Sequence, residues 1–210
     1  VLIIVTSVSF IAFFFLKDEE LFGRGIKAAI PEKYKDEVDT ALYKIKHLLT
    51  RYFGGILAQM SIITGFLWGT LTFMSIPNAL LIAFFAALIN VIPYIGPILG
   101  AVFAIIITLG SNVEADFYAH TLPMMLKVLG AFVAMQALDN FVLQPMIFSK
   151  SVLAHPLEIF IVVIVGAKLG GVTGMIVAIP LYTIFRVIGA VFLNEFHLVK
   201  SLTGHLGDNI

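Results

Sequence analysis

Gln136, Asp139 and Asn140 interrupt, and Gln144 closes, a largely apolar run from about residue 122 to 143. Their spacing of i, i+3, i+4 and i+8 places all four on one face of a helix. A carboxylate inside a membrane helix costs at least about 2.5–3.5 kcal/mol on insertion scales, so it normally faces a cavity or a partner. Two chemistries fit. Asp139 is a cation or proton site, or a gate, with Arg186 on the last helix as its candidate partner. Alternatively it lies about one turn from the end of its span, as an interfacial carboxylate that caps or pairs with Lys150. Both can hold at once.

Other residues offer less. His155 and Glu158 flank Pro156 at i, i+3, but two candidate ligands do not make a metal site, and an interface pair is the simpler reading. His120 with Glu114 and Asp116 reads as a wet loop. Lys127 reads as a snorkelling residue near the start of its span. Lys168 sits at the tip of a greasy hairpin, where it faces an aqueous cavity or a carboxylate if the hairpin dips in, and snorkels to the outer surface if it crosses. The absence of cysteine removes disulfides and thiolate metal sites. No GxxxxGK[ST] loop occurs, so this chain holds no nucleotide in that way. An aspartyl protease dyad needs two close carboxylates, and Asp139 alone lies well inside an expected span. No metal or cofactor is expected, and the chain reads as a non-enzyme.

The elements that must carry these residues are set by composition. Of 210 residues, 60% are hydrophobic and 12% charged, against roughly 45–50% and 25% in soluble domains. Bilayer is the natural solvent, and membrane lipid the first partner. Fifteen of the 26 charged residues lie between Lys17 and Arg51. A net charge of zero argues against a nucleic-acid partner. The expected fold is all-α and polytopic, with transmembrane helices, two interrupted or re-entrant helical hairpins and one amphipathic cytoplasmic segment.

Residues 1–16 read as a truncated transmembrane helix, and 17–51 as a polar amphipathic segment. In it Tyr34, Val38, Leu42, Ile45 and Leu49 recur at helical spacing after Pro31, as in a helix lying on the membrane, packing on a partner or simply connecting spans. A first membrane unit covers 52–110, an external loop 111–121, a second unit 122–195, and a polar tail 196–210. The first unit is a full span, about 53–74, followed by arms 79–89 and 98–109. They are joined by NVIPYIGP, where Asn90, Pro93, Gly96 and Pro97 break the helix. The second is a span followed by arms 157–167 and 172–193, with a break at Gly166, Gly170, Gly171 and Gly174, and Pro180 beyond.

Arms of eleven or twelve residues reach only about 18 Å as helices, short of roughly 30 Å of hydrocarbon. Irregular backbone at that depth survives only against protein or water. Asn90 can bond freed backbone groups or a polar solute. A span plus a broken hairpin thus occurs twice, in opposite orientation. Such a pairing points to a transporter's substrate site. The last arm is long enough to span outright. Lysine and arginine place loops 17–51 and 144–155 inside, with the tail carrying Lys200, and loop 111–121 outside. Small-xxx-small spacings at Gly65/Gly69, Gly96/Gly100, Gly166/Gly170 and Gly170/Gly174 permit close helix approach.

Several stretches together resemble the autoinducer-2 exporter family. They are NVIPYIGPILG, FLKDEE after the first span, RYFGG at the next, QALDNFVLQPMIFSKSVLAHPLEIF, and the Gly-Gly-x-x-Gly-Met-x-x-Ala-x-Pro run from Gly170 to Pro180. The resemblance implies a multipass permease of the bacterial inner membrane, generally homo-oligomeric. It implies export of a small signalling sugar derivative, or sodium(lithium)/proton antiport. Its pattern falls on Asn90, Pro93, Gly96, Pro97, Gln136, Asn140, Gln144, Pro145, His155, Pro156, Gly174 and Pro180. Asp139 stands beside the patterned Asn140, where many but not all members are acidic. The expected function is a secondary transporter for a small polar solute or a cation. A non-transporting scaffold whose helix 31–50 docks a partner is the alternative.

Overall fold

A computed structural model describes residues 21–148 and 155–192, together with positions 6, 7, 9, 10, 13, 14 and 17. Most of the 1–16 span, Lys150 and the 196–210 tail lie outside the described residues. The described chain is almost entirely helical, without a strand. In order come α1 (Leu21–Ala29), a 3-10 turn (Glu32–Tyr34), α2 (Lys35–Phe73), α3 (Ala79–Ile89) and α4 (Gly96–Gly110). A π turn (Phe117–Thr121), α5 (Leu122–Leu138), a second π turn (Asp139–Leu143), α6 (Gln144–Phe148) and α7 (Pro156–Phe192) follow.

The charge boundary at Arg51 falls inside α2, a single helix of 39 residues, about 58 Å long. Its polar first half is not a separate unit in space. Of the expected apolar stripe Val38 and Ile45 face inward, while Ala41 and Leu48 are buried more deeply than their neighbours Leu42 and Leu49. Val38, Ala41, Leu48 and Tyr52 are buried and Ile45 partly so, whereas Tyr34 is exposed. The observed line steps by three and four residues alternately, a mean of 3.5, which is the period that keeps one helix against another. The neighbour is α7: Ala41 and Leu48 pack on Val187, and Tyr52 packs on Val163 and Ile179.

Three helical runs, Glu32–Phe73, Phe117–Met146 and Leu157–Phe192, are long and apolar enough to cross a membrane. The third does not run straight. Gly170 (φ −141°, ψ 17°) and Gly171 (φ 58°, ψ −139°) leave the helical region. Tyr182 bonds back to Glu158, and Gly174 packs on Gly166. The chain therefore reverses at the two glycines, and α7 is a hairpin with arms 156–169 and 172–192. Gly166 and Gly174 are its seam: a Cβ on Gly174 would stand 2.0 Å from the Gly166 carbonyl oxygen. Of the four glycines expected in the break, only Gly170 and Gly171 make it. Pro180 lies inside the second arm and does not end it.

The other hairpin pairs α3 with α4. Gly100 approaches Ala86, where an added Cβ would meet Cα at 3.5 Å, and Phe85 and Phe103 meet across the arms at 5.5 Å. At its open end Asn78 Nδ2 donates to Ser111 Oγ at 2.9 Å. The break is shorter than expected, because Gly96 and Pro97 already belong to the first turn of α4. Proline lacks only an N–H that would be unpaired there. Gly96 has no left-handed backbone. It serves close approach, since a Cβ would stand 2.4 Å from the Ile89 carbonyl oxygen. The left-handed residue is Tyr94, at φ 66°. Asn90, Ile92, Ile95 and Gly96 donate their backbone N–H groups within the turn at 2.8–3.1 Å, so much of the irregular backbone is satisfied locally.

The α3–α4 hairpin packs on the Phe73 end of α2, where Ile63, Leu67 and Leu71 bury against Ala79, Ile82, Ala83, Ala86, Ala87 and Ala104. The alanines let backbones approach, which is how membrane helices gain contact without a hydrophobic driving force. Val128, Ala131, Phe132 and Met135 of α5 complete this core. The α7 hairpin packs on the Lys35 end. The two hairpins thus open toward opposite ends of α2.

Candidate functional site

Six polar residues are buried among the described ones: Gln59, Asn90, Thr108, Thr121, Asp139 and Thr183. Thr108 and Thr183 donate to carbonyls four residues back in their own helices, at 2.8 and 2.9 Å. Gln59, Asn90 and Asp139 instead converge from three elements. Gln59 lies on the face of α2 that buries Tyr52, Ile63, Leu67 and Leu71, an amide where an aliphatic side chain would otherwise stand. Asn90 ends α3 at the first break. Asp139 opens the second π turn.

Asp139 is 1% exposed. Gln59 Nε2 donates to its Oδ1 at 2.5 Å; Asn90 Nδ2 and Gln144 Nε2 donate to its Oδ2 at 3.3 and 3.0 Å. Each donor is a neutral amide. No lysine, arginine or histidine pairs with this carboxylate among the described residues. An ionised carboxylate only accepts, so each amide must turn its nitrogen inward. The oxygen left over finds nothing in the case of Asn90: Asn90 Oδ1 and Gln136 Oε1 are buried without a hydrogen-bond partner among the described residues. The cluster therefore combines an uncompensated acid with spare acceptors, which suits a proton or a cation.

The π turn builds half of this. The Gln144 N–H bonds the Asp139 carbonyl five residues back, and the two side chains share the same i, i+5 relation. Pro145 supplies a local reason. It cannot donate to Phe141, and its ring would crowd that carbonyl in a regular helix; a wider turn relieves both. The four polar residues do not share one buried face. Asp139 is buried, Gln136 and Gln144 are half-buried, and Asn140 is exposed. Asn140 Oδ1 accepts from Gln136 at 2.8 Å and from Gln144 at 3.1 Å, so a continuous amide chain links the surface to the carboxylate.

A family profile described as AI-2E family transporter matches residues 1–194. The chain belongs to the AI-2E transporter family. Similar proteins include YueF of Bacillus subtilis (strain 168), provisionally named for transport, 32% identical over 199 residues that cover 94% of this chain and 50% of YueF. YrrI of the same organism, named likewise, is 28% identical over 204 residues, covering 97% of this chain and 53% of that protein. The chain spans about half the length of these relatives. Membership in a transporter family, together with the apolar helices, marks the chain as a membrane protein.

In this AI-2E chain Arg186 is placed away from Asp139. It stands 3.7 Å from Glu158 and over the Tyr182 ring, and Tyr182 Oη donates to Glu158. These three side chains tie the arms of α7 together near its open end. Glu158 thus does not pair with His155 through its side chain; His155 Nδ1 accepts from the Leu157 N–H at 3.3 Å. The Lys150 alternative lies outside the described residues. Pro93 sits in the first break, its carbonyl accepting from Ile95 at 2.8 Å. At that tip Tyr94 meets Phe160 of α7 edge-on, with ring centroids 5.3 Å apart, joining the two hairpins. Glu114, Asp116 and His120 are exposed, and Asp116 Oδ1 accepts from the Ala119 N–H at 2.6 Å. The residues the sequence reading missed are Gln59 and Tyr182. A lone amide seven residues into an apolar span was the available signal for the first.

Proposed function

We propose that the full-length protein is a multi-pass secondary transporter of the bacterial inner membrane, working as a homo-oligomer. It carries a small polar solute or signalling molecule, autoinducer-2 export being one such task, or exchanges a cation for protons. The observation that carries this reading is Asp139: a fully buried carboxylate held by three neutral amides and no cation among the described residues. Keeping such a group charged in a low-dielectric setting is costly unless something neutralises it. A group that gains by binding a cation or proton, and that must be freed again, is what a coupled carrier needs.

The supports around Asp139 fit alternating exposure. Asn90 lies at the break of one hairpin, so movement of that break changes the donors on the carboxylate. The opposed openings of the two hairpins give one route toward each side, with the Lys35 end of α2 inside by the positive-charge rule. The scaffold alternative has helix 31–50 docking a partner. Ala41, Ile45 and Leu48 of that helix already pack against α7 of the same chain.

The test is flux. Full-length protein in liposomes, given an ion or solute gradient, is expected to transport. Asp139→Asn is expected to lower flux at least about tenfold, the scale set by losing one essential charged group. Its melting temperature should stay close to wild type, because the new amide can donate to Asn90 Oδ1. No flux for any cargo would favour a scaffold. Wild-type flux in the variant would remove Asp139 from the mechanism.

A further inference from the structure

The tip of the α7 hairpin stands level with the apolar stretch of α2, about residues 53–74. Val163 and Ile179 pack on Tyr52. Gly170 lies seven residues beyond Val163, and Gln59 seven beyond Tyr52, about 10 Å in each case. Arm 156–169 runs in the same sense as α2, so the tip stands at the height of Gln59 and Asp139. From Pro156 to the reversal is about 21 Å, short of the roughly 30 Å of hydrocarbon.

Two independent features at that depth are incompatible with acyl chains. Gly170 and Gly171 carry non-helical backbone and are exposed. Lys168, two residues earlier, is exposed and has no ion-pair partner among the described residues. Open irregular backbone does not occur against lipid, and a charged side chain this far from an interface faces water or a counter-charge. Among the described residues no counter-charge meets Lys168, which leaves water on this surface. We propose that the α7 tip projects into a water-filled vestibule, where the Lys168 ammonium favours solutes that carry an anionic group. A fixed charge bordered by low-dielectric walls focuses its field and raises the local concentration of the opposite sign. This site rests on the membrane placement of the chain, and not on Asp139 as the binding group.

Thr173, exposed just past the reversal, can carry a reporter. Thr173→Cys is placed in full-length protein free of other cysteines, in proteoliposomes. Its reaction rates are measured with two membrane-impermeant methanethiosulfonates, one sulfonated and one bearing trimethylammonium. Both are expected to react. The ratio of anionic to cationic rate is expected to fall at least about threefold on Lys168→Gln, and to be retained in Lys168→Arg, which also controls for folding. No reaction with either reagent would mean the tip is covered by lipid or by a second copy, and would overturn the vestibule. An unchanged ratio in Lys168→Gln would overturn the preference for anions. Neither result bears on flux through Asp139, which is read separately.

Discussion

At the scale of single residues, Gln59 is the side chain whose removal separates support from binding. It donates the shortest hydrogen bond to Asp139 and lies 80 residues away in sequence. Neutral interhelical bonds in membranes average only about 0.6 kcal/mol, because the alternative state also finds partners. Bonds to charged groups are worth roughly 1.5–3 kcal/mol. Gln59→Leu is therefore expected to destabilise by about 1–2 kcal/mol, a value between those two limits. A lowered melting temperature in lipid or detergent would register it, accompanied by reduced flux. Much of this site was legible beforehand. Asp139, Gln144 and Asn90 stand out because polar residues are rare in apolar runs. What the residues did not disclose was the partner of each. Nothing in α2 distinguishes Gln59 from a lipid-facing amide until α5 is beside it. Arg186 found Glu158 across the hairpin because the reversal at Gly170 sets positions 158 and 186 near each other.

At the scale of elements, the hairpins were legible and their seams were not. Proline and glycine announce a break, but they do not say which glycine turns the chain and which one lets two backbones touch. The structure separates these roles, and substitution can check the separation. At Gly174 an added methyl would meet the Gly166 backbone carbonyl, which cannot swing aside. Overpacking of this kind costs about 1–3 kcal/mol or more, so Gly174→Ala is expected to lower the melting temperature clearly. At Gly69 nothing lies within 4 Å, and Gly69→Ala should be neutral or slightly stabilising. Equal behaviour of the two would refute the seam. The π turn at Asp139–Leu143 belongs to the same scale. Periodicity arguments assume one pitch throughout a helix, and the extra residue in this turn is why Gln144 reaches Asp139 at i, i+5.

At the scale of the molecule, both hairpins are braced on one helix and touch each other at Tyr94 and Phe160. If transport moves one hairpin against the other, that contact must open in each cycle. Tyr94→Cys with Phe160→Cys, joined by a short bifunctional thiol reagent, is expected to abolish flux reversibly; sustained flux in the cross-linked protein would mean the pair moves as one body. The length of α2 carries a last consequence. Tyr52 meets the α7 hairpin and Gln59 meets Asp139, and both depend on one uninterrupted helix. Each residue inserted or deleted there rotates everything beyond it by about 100°. A single deletion within 53–58 is thus expected to throw one of these two docking points out of phase, and protein carrying it should melt early and stay silent in flux. Conservative replacements in the same stretch should pass unnoticed, so that this segment tolerates changes of identity and no change of number.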